Sequence, residues 1–344
     1  MPKVRVCVKD GPGQVRLDEI QLPDPKPGQV LVRTERSTIC GSDLHLVDRV
    51  DAIRAGTPQG HEAVGVVEAV GEGVQRIKVG DRVASTCLYG CGHCRQCDAG
   101  DINLCATFHA PLNVLFGCQS EAYLVSAADR NVAVVPRESD ARHVLLATDI
   151  MATGFAAVRR GGVRPGQTVA IFAQGPVGLC ATAAAKHYGA ARIFAVDGVP
   201  ERRAMASRLG ATDTLAPEGA VEAIREATAG GGVDVAIEAL GTRATFSACL
   251  QSIRLGGTLS SVGMYFGQGD LTLPTTGPFF QHTIHTSMCP AGHEVVTDML
   301  ALQESGKVDL LPLFTHEAQL SEIANCYERF RARADGVLKF SISV

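Results

Sequence analysis

Cys40-Gly41-Ser42-Asp43-Leu44-His45 and, after an interval, Gly60-His61-Glu62 set a thiol and an imidazole in tight, glycine-flanked surroundings. Both side chains are metal ligands. Zinc is satisfied by thiolate, imidazole and carboxylate in tetrahedral geometry, and a catalytic zinc site keeps one position open. A third ligand must come from elsewhere, and Asp149 in Ala147-Thr148-Asp149-Ile150-Met151 is the best candidate. Its neighbours Leu145, Leu146, Ile150 and Met151 are apolar, and a carboxylate buried among them needs a cation. Each residue also has a plainer reading: Cys40 as a buried small hydrophobe, His61 as a satisfied loop histidine, Asp149 as a solvated helix residue or an N-cap.

A second metal chemistry stands in Cys91, Cys94, Cys97 and Cys105, spaced C-x2-C-x2-C-x7-C. Four thiolates this close in sequence can converge on one zinc, and with cysteine at every position the site is structural. It would staple a lobe with little core of its own. An iron–sulfur cluster is the alternative, but the usual proline-flanked run is missing. Four loop cysteines without a metal would be open to oxidation. Cys87 falls outside the spacing, and His93, inside it, has no assigned role.

The chain has 344 residues, which calls for two domains. It is 46% hydrophobic and 20% charged, with 37 glycines, as in a well-packed globular protein with many tight turns. The net charge of -4 gives no basic excess for a phosphate backbone, which argues against a nucleic-acid partner. The N-terminus lacks a secretion signal, and no run of about 18 apolar residues predicts a membrane span. With 12 cysteines and no such signal, a reducing cytoplasm and metal ligation account for the cysteines better than disulfides do.

The elements that must position these residues change period along the chain. Residues 4–36 read as strands and turns, with Val4–Val8 and Val15–Leu17 as a hairpin and Val30–Thr34 as the next strand. The Cys40 loop precedes a short helix through Asp48–Arg54, and Ala63–Gly71 and Val79–Val83 continue a barrel-like β domain. Further strands lie at Ala122–Val125 and Val132–Pro136, before a helical crossing over Arg142–Met151. From residue 167 the pattern becomes strand, glycines, helix. Gln167–Ala173 is a buried strand, Gly175-Pro176-Val177-Gly178 the turn, and Asp197 ends the next strand roughly 20 residues past the turn. A helix N-terminus there offers backbone N–H groups to a pyrophosphate, and Asp197 would take the adenosine ribose hydroxyls. The first glycine of the G-x-G-x-x-G fingerprint is Ala173, so a nucleotide-free α/β domain is the alternative. Alternating helices and strands continue to Ile284–Met288, as the two halves of an open parallel sheet. The apolar strand at Gly336–Ile342 needs sheet neighbours, which the first domain would supply.

Taken together, Gly60-His61-Glu62-Ala63-x-Gly65, Cys40-Gly41-Ser42-Asp43-x-His45, the four-cysteine lobe and the Gly175–Gly178 turn resemble the zinc-dependent medium-chain alcohol dehydrogenases over essentially the whole chain. Aspartate in place of cysteine at the third ligand position is similar to a bacterial secondary alcohol dehydrogenase branch. So are Met264–Asp270 and Ser287–Gly292. The resemblance implies an α/β fold: a GroES-like β-barrel-type catalytic domain over 1–148, with the zinc lobe at about 87–108, a doubly wound Rossmann domain over 149–288, and a return to the catalytic domain over 289–344. It implies two zincs per chain, one catalytic on Cys40, His61 and Asp149 and one structural, and a homotetramer, with a dimer as the alternative. Familiar members of that branch lack the cysteine lobe and take the phosphorylated cofactor. Here Asp197, followed by Gly198-Val199, replaces the glycine of that NADP-type site, and its charge favours NAD. Arg202 and Arg203 are in range of a phosphate but read better as solvated helix arginines.

The implied chemistry is reversible hydride transfer between an alcohol and NAD. Ser42 resembles the family's first relay residue, passing the proton through the cofactor ribose to His45 and solvent. Glu62 takes an accessory role near zinc. Cys87, Phe108, His109, Phe116 and Met288 are pocket candidates, each equally readable as packing. An uncharged pocket implies a small apolar alcohol or ketone, a secondary alcohol first. A polyol dehydrogenase on the same scaffold, a non-catalytic NAD-binding protein and a zinc-free double-bond reductase are the competing readings.

Overall fold

Alternating apolar positions in the N-terminal part of the chain fold into antiparallel strands, and the later apolar runs fold into a parallel sheet. The computed structural model describes residues 3–49, 53–108, 117–274 and 281–344. They divide into two units, residues 1–152 with 290–344 and residues 153–289.

In the first unit β1 (Lys3–Gly11) and β2 (Gln14–Gln21) form a hairpin, followed by β3 (Val30–Ser37) and α1 (Gly41–Asp48). β4 (Ala63–Val70) and β5 (Arg82–Ser85) come next, then α2 (Arg95–Asp98) inside the cysteine lobe. β6 (Ala122–Val125), α3 (Ala128–Asn131), β7 (Val132–Val134) and α4 (Ala141–Thr148) follow. α5 (Ile150–Arg160) begins in the first unit and ends in the second.

The second unit alternates strand and helix: β8 (Thr168–Phe172), α6 (Pro176–His187), β9 (Arg192–Val196), α7 (Pro200–Leu209), β10 (Asp213–Leu215), α8 (Ala220–Ala227), β11 (Val233–Glu238), α9 (Arg243–Ser252), β12 (Ile253–Ser261) and β13 (Thr283–Thr286). All neighbouring pairs are parallel, in the order β10-β9-β8-β11-β12-β13. This is the doubly wound order, reversing direction beside β8, where such sheets take ligands. The inner strands are buried along most of their length, as apolar runs covered on both faces must be.

The chain then returns. α10 (His293–Glu304), β14 (Phe314–Gln319), α11 (Ile323–Ala332) and β15 (Lys339–Ser343) belong to the first unit. β15 pairs with β14 in parallel and with β3 antiparallel, giving the order β14-β15-β3-β4-β5-β7, with β6 also on β3. The expected α/β class, with a doubly wound sheet in one unit and a β domain in the other, is what forms. No helix among the described residues is long and apolar enough to cross a membrane.

The structure refines two local expectations. A helix already occupies Gly41–Asp48, directly after Cys40 and ahead of the one expected through Asp48–Arg54, of which residues 50–52 lie outside the described residues. Asp43 causes this: its Oδ2 accepts from the Cys40 backbone N–H at 2.9 Å, the reciprocal half of a capping box. The helical crossing at Arg142–Met151 is broken at Asp149, whose φ and ψ of -145° and -76° separate α4 from α5.

Phe340 on β15 is fully buried in a core with Cys7, Ile39, Val47, Ile323 and Tyr327, beneath α1 and α11. Phe340→Ala is expected to cost about 3–5 kcal/mol of unfolding free energy, read as a lowered urea midpoint.

Candidate metal centre and nucleotide turn

Three segments of the first unit bring the first ligand set together. Cys40 immediately precedes α1, His61 and Glu62 lie just ahead of β4, and Asp149 sits at the break after α4. α4 is fixed by its apolar face, where Val144, Leu145 and Ala147 pack with Val64, Ala84 and α10 residues Val296 and Leu300. α1 is held at its far end by buried Lys9, whose ammonium donates to the carbonyls of Leu46 at 3.2 Å and Arg49 at 2.5 Å. A cation there also complements the helix dipole.

Donor atoms of Cys40, His61, Glu62 and Asp149 all lie within 4.8 Å of one another, and all four residues are buried. Cys40 Sγ is 3.3 Å and His61 Nε2 3.4 Å from Asp149 Oδ2. His61 turns its other nitrogen to Asp43, with Nδ1 2.9 Å from Oδ1. That contact orients Nε2 toward the cluster, as an outer carboxylate does for a metal-binding histidine. Glu62 Oε1 pairs with buried Lys339 Nζ at 2.9 Å, while Glu62 Oε2 is buried without a hydrogen-bond partner.

The electrostatics suit a divalent cation. Three buried carboxylates, of Asp43, Glu62 and Asp149, stand against the single ammonium of Lys339 in this cluster. Burial, reinforced by Asp149, pushes the Cys40 thiol up to about 11. Burial also raises Glu62 to about 7, although Lys339 opposes the shift. Asp149 resists burial and stays well below the usual carboxylate range because of the hydrogen bond and charge of His61. A metal held here would displace protons and take the thiolate form of Cys40. Thiol, imidazole and carboxylate are a fitting zinc donor set, with the orphaned Glu62 oxygen in reach of the same point.

Ser42 Oγ lies 3.3 Å from His61 Nε2, at the edge of the cluster. His45 is exposed, three residues further on and therefore on the same side of α1. Cys87 is buried, and its sulfur is within 4.8 Å of an Asp149 carboxylate oxygen. Phe108 closes a short turn, Ala106–Phe108, whereas His109 and Phe116 lie outside the described residues. Met288 follows β13 in the second unit, and its carbonyl accepts from Arg160 at 3.2 Å.

The four lobe cysteines also converge, with sulfurs within 4.8 Å of one another. Cys94 and Cys97 sulfurs are 3.5 Å apart, and Cys94 and Cys105 sulfurs 3.9 Å. Backbone N–H groups of Cys97 and Ala106 pull Cys94 down to about 6, toward the thiolate a metal needs. Asn131 ties the lobe to the sheet, accepting from the Gly90 N–H at 3.0 Å and donating to its carbonyl at 2.9 Å. Four clustered thiols with no fifth donor or open place among the described residues would suit a structural zinc.

In the second unit the expected turn forms between β8 and α6. Gly175 is the N-cap and Pro176 the first helical residue, which leaves the N–H groups of Val177 and Gly178 without helical partners. Gly178 is required: a Cβ there would collide with the Ala173 carbonyl. Ala173 holds the left-handed conformation that the missing first glycine would take, at φ 75°. An alanine can occupy it at a cost of about 1–2 kcal/mol, so the turn survives without the full fingerprint. Asp197 Oδ2 accepts from the Gln174 N–H at 2.7 Å and Oδ1 from the Val199 N–H at 2.8 Å. The carboxylate is thereby fixed beside the turn. Arg203 bonds the Asp197 carbonyl at 2.6 Å, and the Arg202 guanidinium lies 3.9 Å from where a Gly175 Cβ would stand.

Sequence reasoning passed over Asp43 and Lys339. Asp43 was visible as a carboxylate three residues after Cys40, the spacing of a capping box. Lys339 was visible as the lone cation within the apolar terminal strand.

Comparison with known proteins agrees with this geometry. Residues 26–137 match the alcohol dehydrogenase GroES-like domain and residues 176–305 the zinc-binding dehydrogenase family. The chain is 37% identical to an alcohol dehydrogenase of Cupriavidus necator, over 99% of this chain and 98% of that protein. It is 31% identical to sorbitol dehydrogenase of Bacillus subtilis, covering 95% and 93%. Among solved structures it is similar to alcohol dehydrogenase TADH from Thermus sp. ATN1, with a TM-score of 0.91 and 33% identity over 99% of both chains.

Protein purified without chelator should carry about two zincs per chain by elemental analysis. Asp149→Ala should keep one, and Cys105→Ala should lose the other together with protease resistance of the lobe.

Proposed function

This chain belongs to the zinc-binding medium-chain dehydrogenase family, a family of zinc-dependent oxidoreductases, and we propose that it reversibly oxidises an alcohol, a secondary one first, to the ketone or aldehyde, with NAD as the hydride acceptor. The observation that carries this reading is one chain holding both a buried Cys40–His61–Asp149 donor set and a doubly wound sheet with Asp197 fixed beside its helix-opening turn.

Zinc on those ligands would supply a Lewis acid that lowers the pKa of a substrate hydroxyl, and the nicotinamide the hydride chemistry. The chain's own residues do the rest. Asp43 and Lys339 hold His61 and Glu62 in place. Ser42 Oγ, at the edge of the ligand cluster, accepts the substrate proton as it gives up its own, and exposed His45 on the same side of α1 passes a proton to water. A histidine suits that exit because its ordinary pKa lies near neutrality. Glu62, with one oxygen unpartnered, has an accessory part in balancing the charge of the centre.

For the nucleotide, the Val177 and Gly178 N–H groups receive the pyrophosphate at the α6 terminus. The Asp197 carboxylate accepts from the ribose hydroxyls and repels a 2′-phosphate. The likeness to sorbitol dehydrogenase keeps a polyol as the second substrate reading. A homotetramer is proposed, with a dimer as the alternative; light scattering separates them.

Assays with NAD and with NADP against 2-propanol, 2-butanol, benzyl alcohol and sorbitol test the reading. NAD-linked oxidation of the secondary alcohols is the expected result, and zinc-replete protein without turnover on any of them contradicts it. Asp197→Gly should shift the NADP-to-NAD ratio of kcat/KM upward by roughly tenfold or more, because one unit of negative charge near the 2′-position is removed.

A further inference from the structure

The two loops that carry Cys40 and His61 are far apart in sequence, and one buried side chain spans them. Gln119 is wholly buried on the segment before β6. Its Nε2 donates to the Thr38 carbonyl at 3.0 Å and to Asp43 Oδ2 at 3.3 Å. Its Oε1 accepts from the Tyr327 hydroxyl of α11 at 2.9 Å. Both amide protons and the amide oxygen are thus used.

The Gln119 backbone reaches the second loop. Its N–H donates to Gln59 at 3.1 Å and its carbonyl accepts from Cys7 at 2.8 Å, while the Gln59 N–H donates back to Cys7 at 2.8 Å. Gly60, next to His61, lies against it. A Cβ on Gly60 would stand 2.5 Å from Gln119 Cγ and 2.7 Å from its backbone nitrogen, and the φ of 89° at Gly60 is itself a glycine conformation.

We propose that Gln119, braced by Tyr327, is a positioning residue for the metal centre, setting the Cys40 and His61 loops in register with each other. Nε2 holds Asp43 Oδ2 in line with the Cys40 N–H, which leaves Oδ1 facing His61 Nδ1 and so aims Nε2 at the metal. The Thr38 contact fixes the chain two residues before Cys40, and the packing on Gly60 fixes the residue before His61. An apolar side chain of the same length would fill the space but could not hold Asp43.

The inference rests on zinc binding by the Cys40 centre, and is independent of substrate and coenzyme. The test therefore reads metal rather than turnover. Full-length zinc-loaded protein is titrated with a chromophoric chelator, and Asp149→Ala, which holds the lobe zinc alone, identifies which release step belongs to which site. In Gln119→Met the affinity of the Cys40 centre should fall by roughly 10–100-fold, the range seen for outer-sphere partners of metal ligands, while the lobe zinc is released as in the parent. Tyr327→Phe, which removes one hydroxyl, should shift the same step by a smaller factor. In an Asp43→Ala background, Gln119→Met should cost less than it does alone, since the part that acts through Asp43 is already lost. Unchanged release from the Cys40 centre in both single variants would overturn the proposal. So would equal loosening of both sites, or losses that simply add with Asp43→Ala. A parent chain that binds only the lobe zinc fails the metal centre itself, and the proposal with it.

Discussion

Negative charge is buried at the Cys40–His61–Asp149 centre, and the first unit is arranged around its compensation. An ionised carboxylate moved from water to a dry interior costs of order 20 kcal/mol in the ideal limit and several kcal/mol after relaxation. Three carboxyl groups lie buried here beside a thiol. Each has an assigned counterpart. Asp43 receives the Cys40 N–H and the Gln119 amide and faces His61. Glu62 pairs with Lys339. Asp149 is hydrogen-bonded within the Cys40–His61 pair. The donor atoms converge on one point, and a dication placed there would offset much of the remaining negative charge. With zinc on Cys40, His61 and Asp149 as proposed, aspartate in the third place would give the same formal charge as a cysteine with a harder donor.

The secondary structure serves that arrangement through ordinary local rules. α1 starts where it does because Asp43 caps it, and the same carboxylate then orients His61, so one side chain sets both a helix boundary and a ligand. α4 ends at Asp149 because its apolar face is locked against β4, β5 and α10, leaving the next residue to turn inward. β15 closes the sheet next to β3 and delivers Lys339 to Glu62 from the end of the chain. In the second unit Ala173 accepts a left-handed backbone so that Gly178 can approach its carbonyl, which is the geometry the glycine fingerprint normally secures.

Much of this was legible in the sequence because it is local. The four lobe cysteines, the Gly175–Gly178 turn and the alternation of strand and helix from residue 167 are short-range patterns, and the structure reproduces them. Asp149 was legible through its apolar neighbours, since a carboxylate in such a run must have a partner. The start of α1 is hard to read locally because a cysteine is an unusual residue ahead of a helix. Strand β14 escaped notice because its half-buried Phe314–Gln319 stretch carries little apolar character. Gln119 and Tyr327 could not be read at all: their contacts join segments that no periodicity connects, and a glutamine in a strand-like run has no local signature of its task.

Zinc K-edge X-ray absorption on the purified protein tests the central claim most directly. Two zincs sharing five sulfur ligands, four from the lobe and one from Cys40, with the remaining donors nitrogen and oxygen at about 2.0–2.1 Å and sulfur at about 2.3 Å, is the predicted result. A spectrum of all-sulfur coordination, with zinc confined to the lobe, would contradict the account, because the buried charge at Cys40, His61 and Asp149 would then have to be balanced by protons alone.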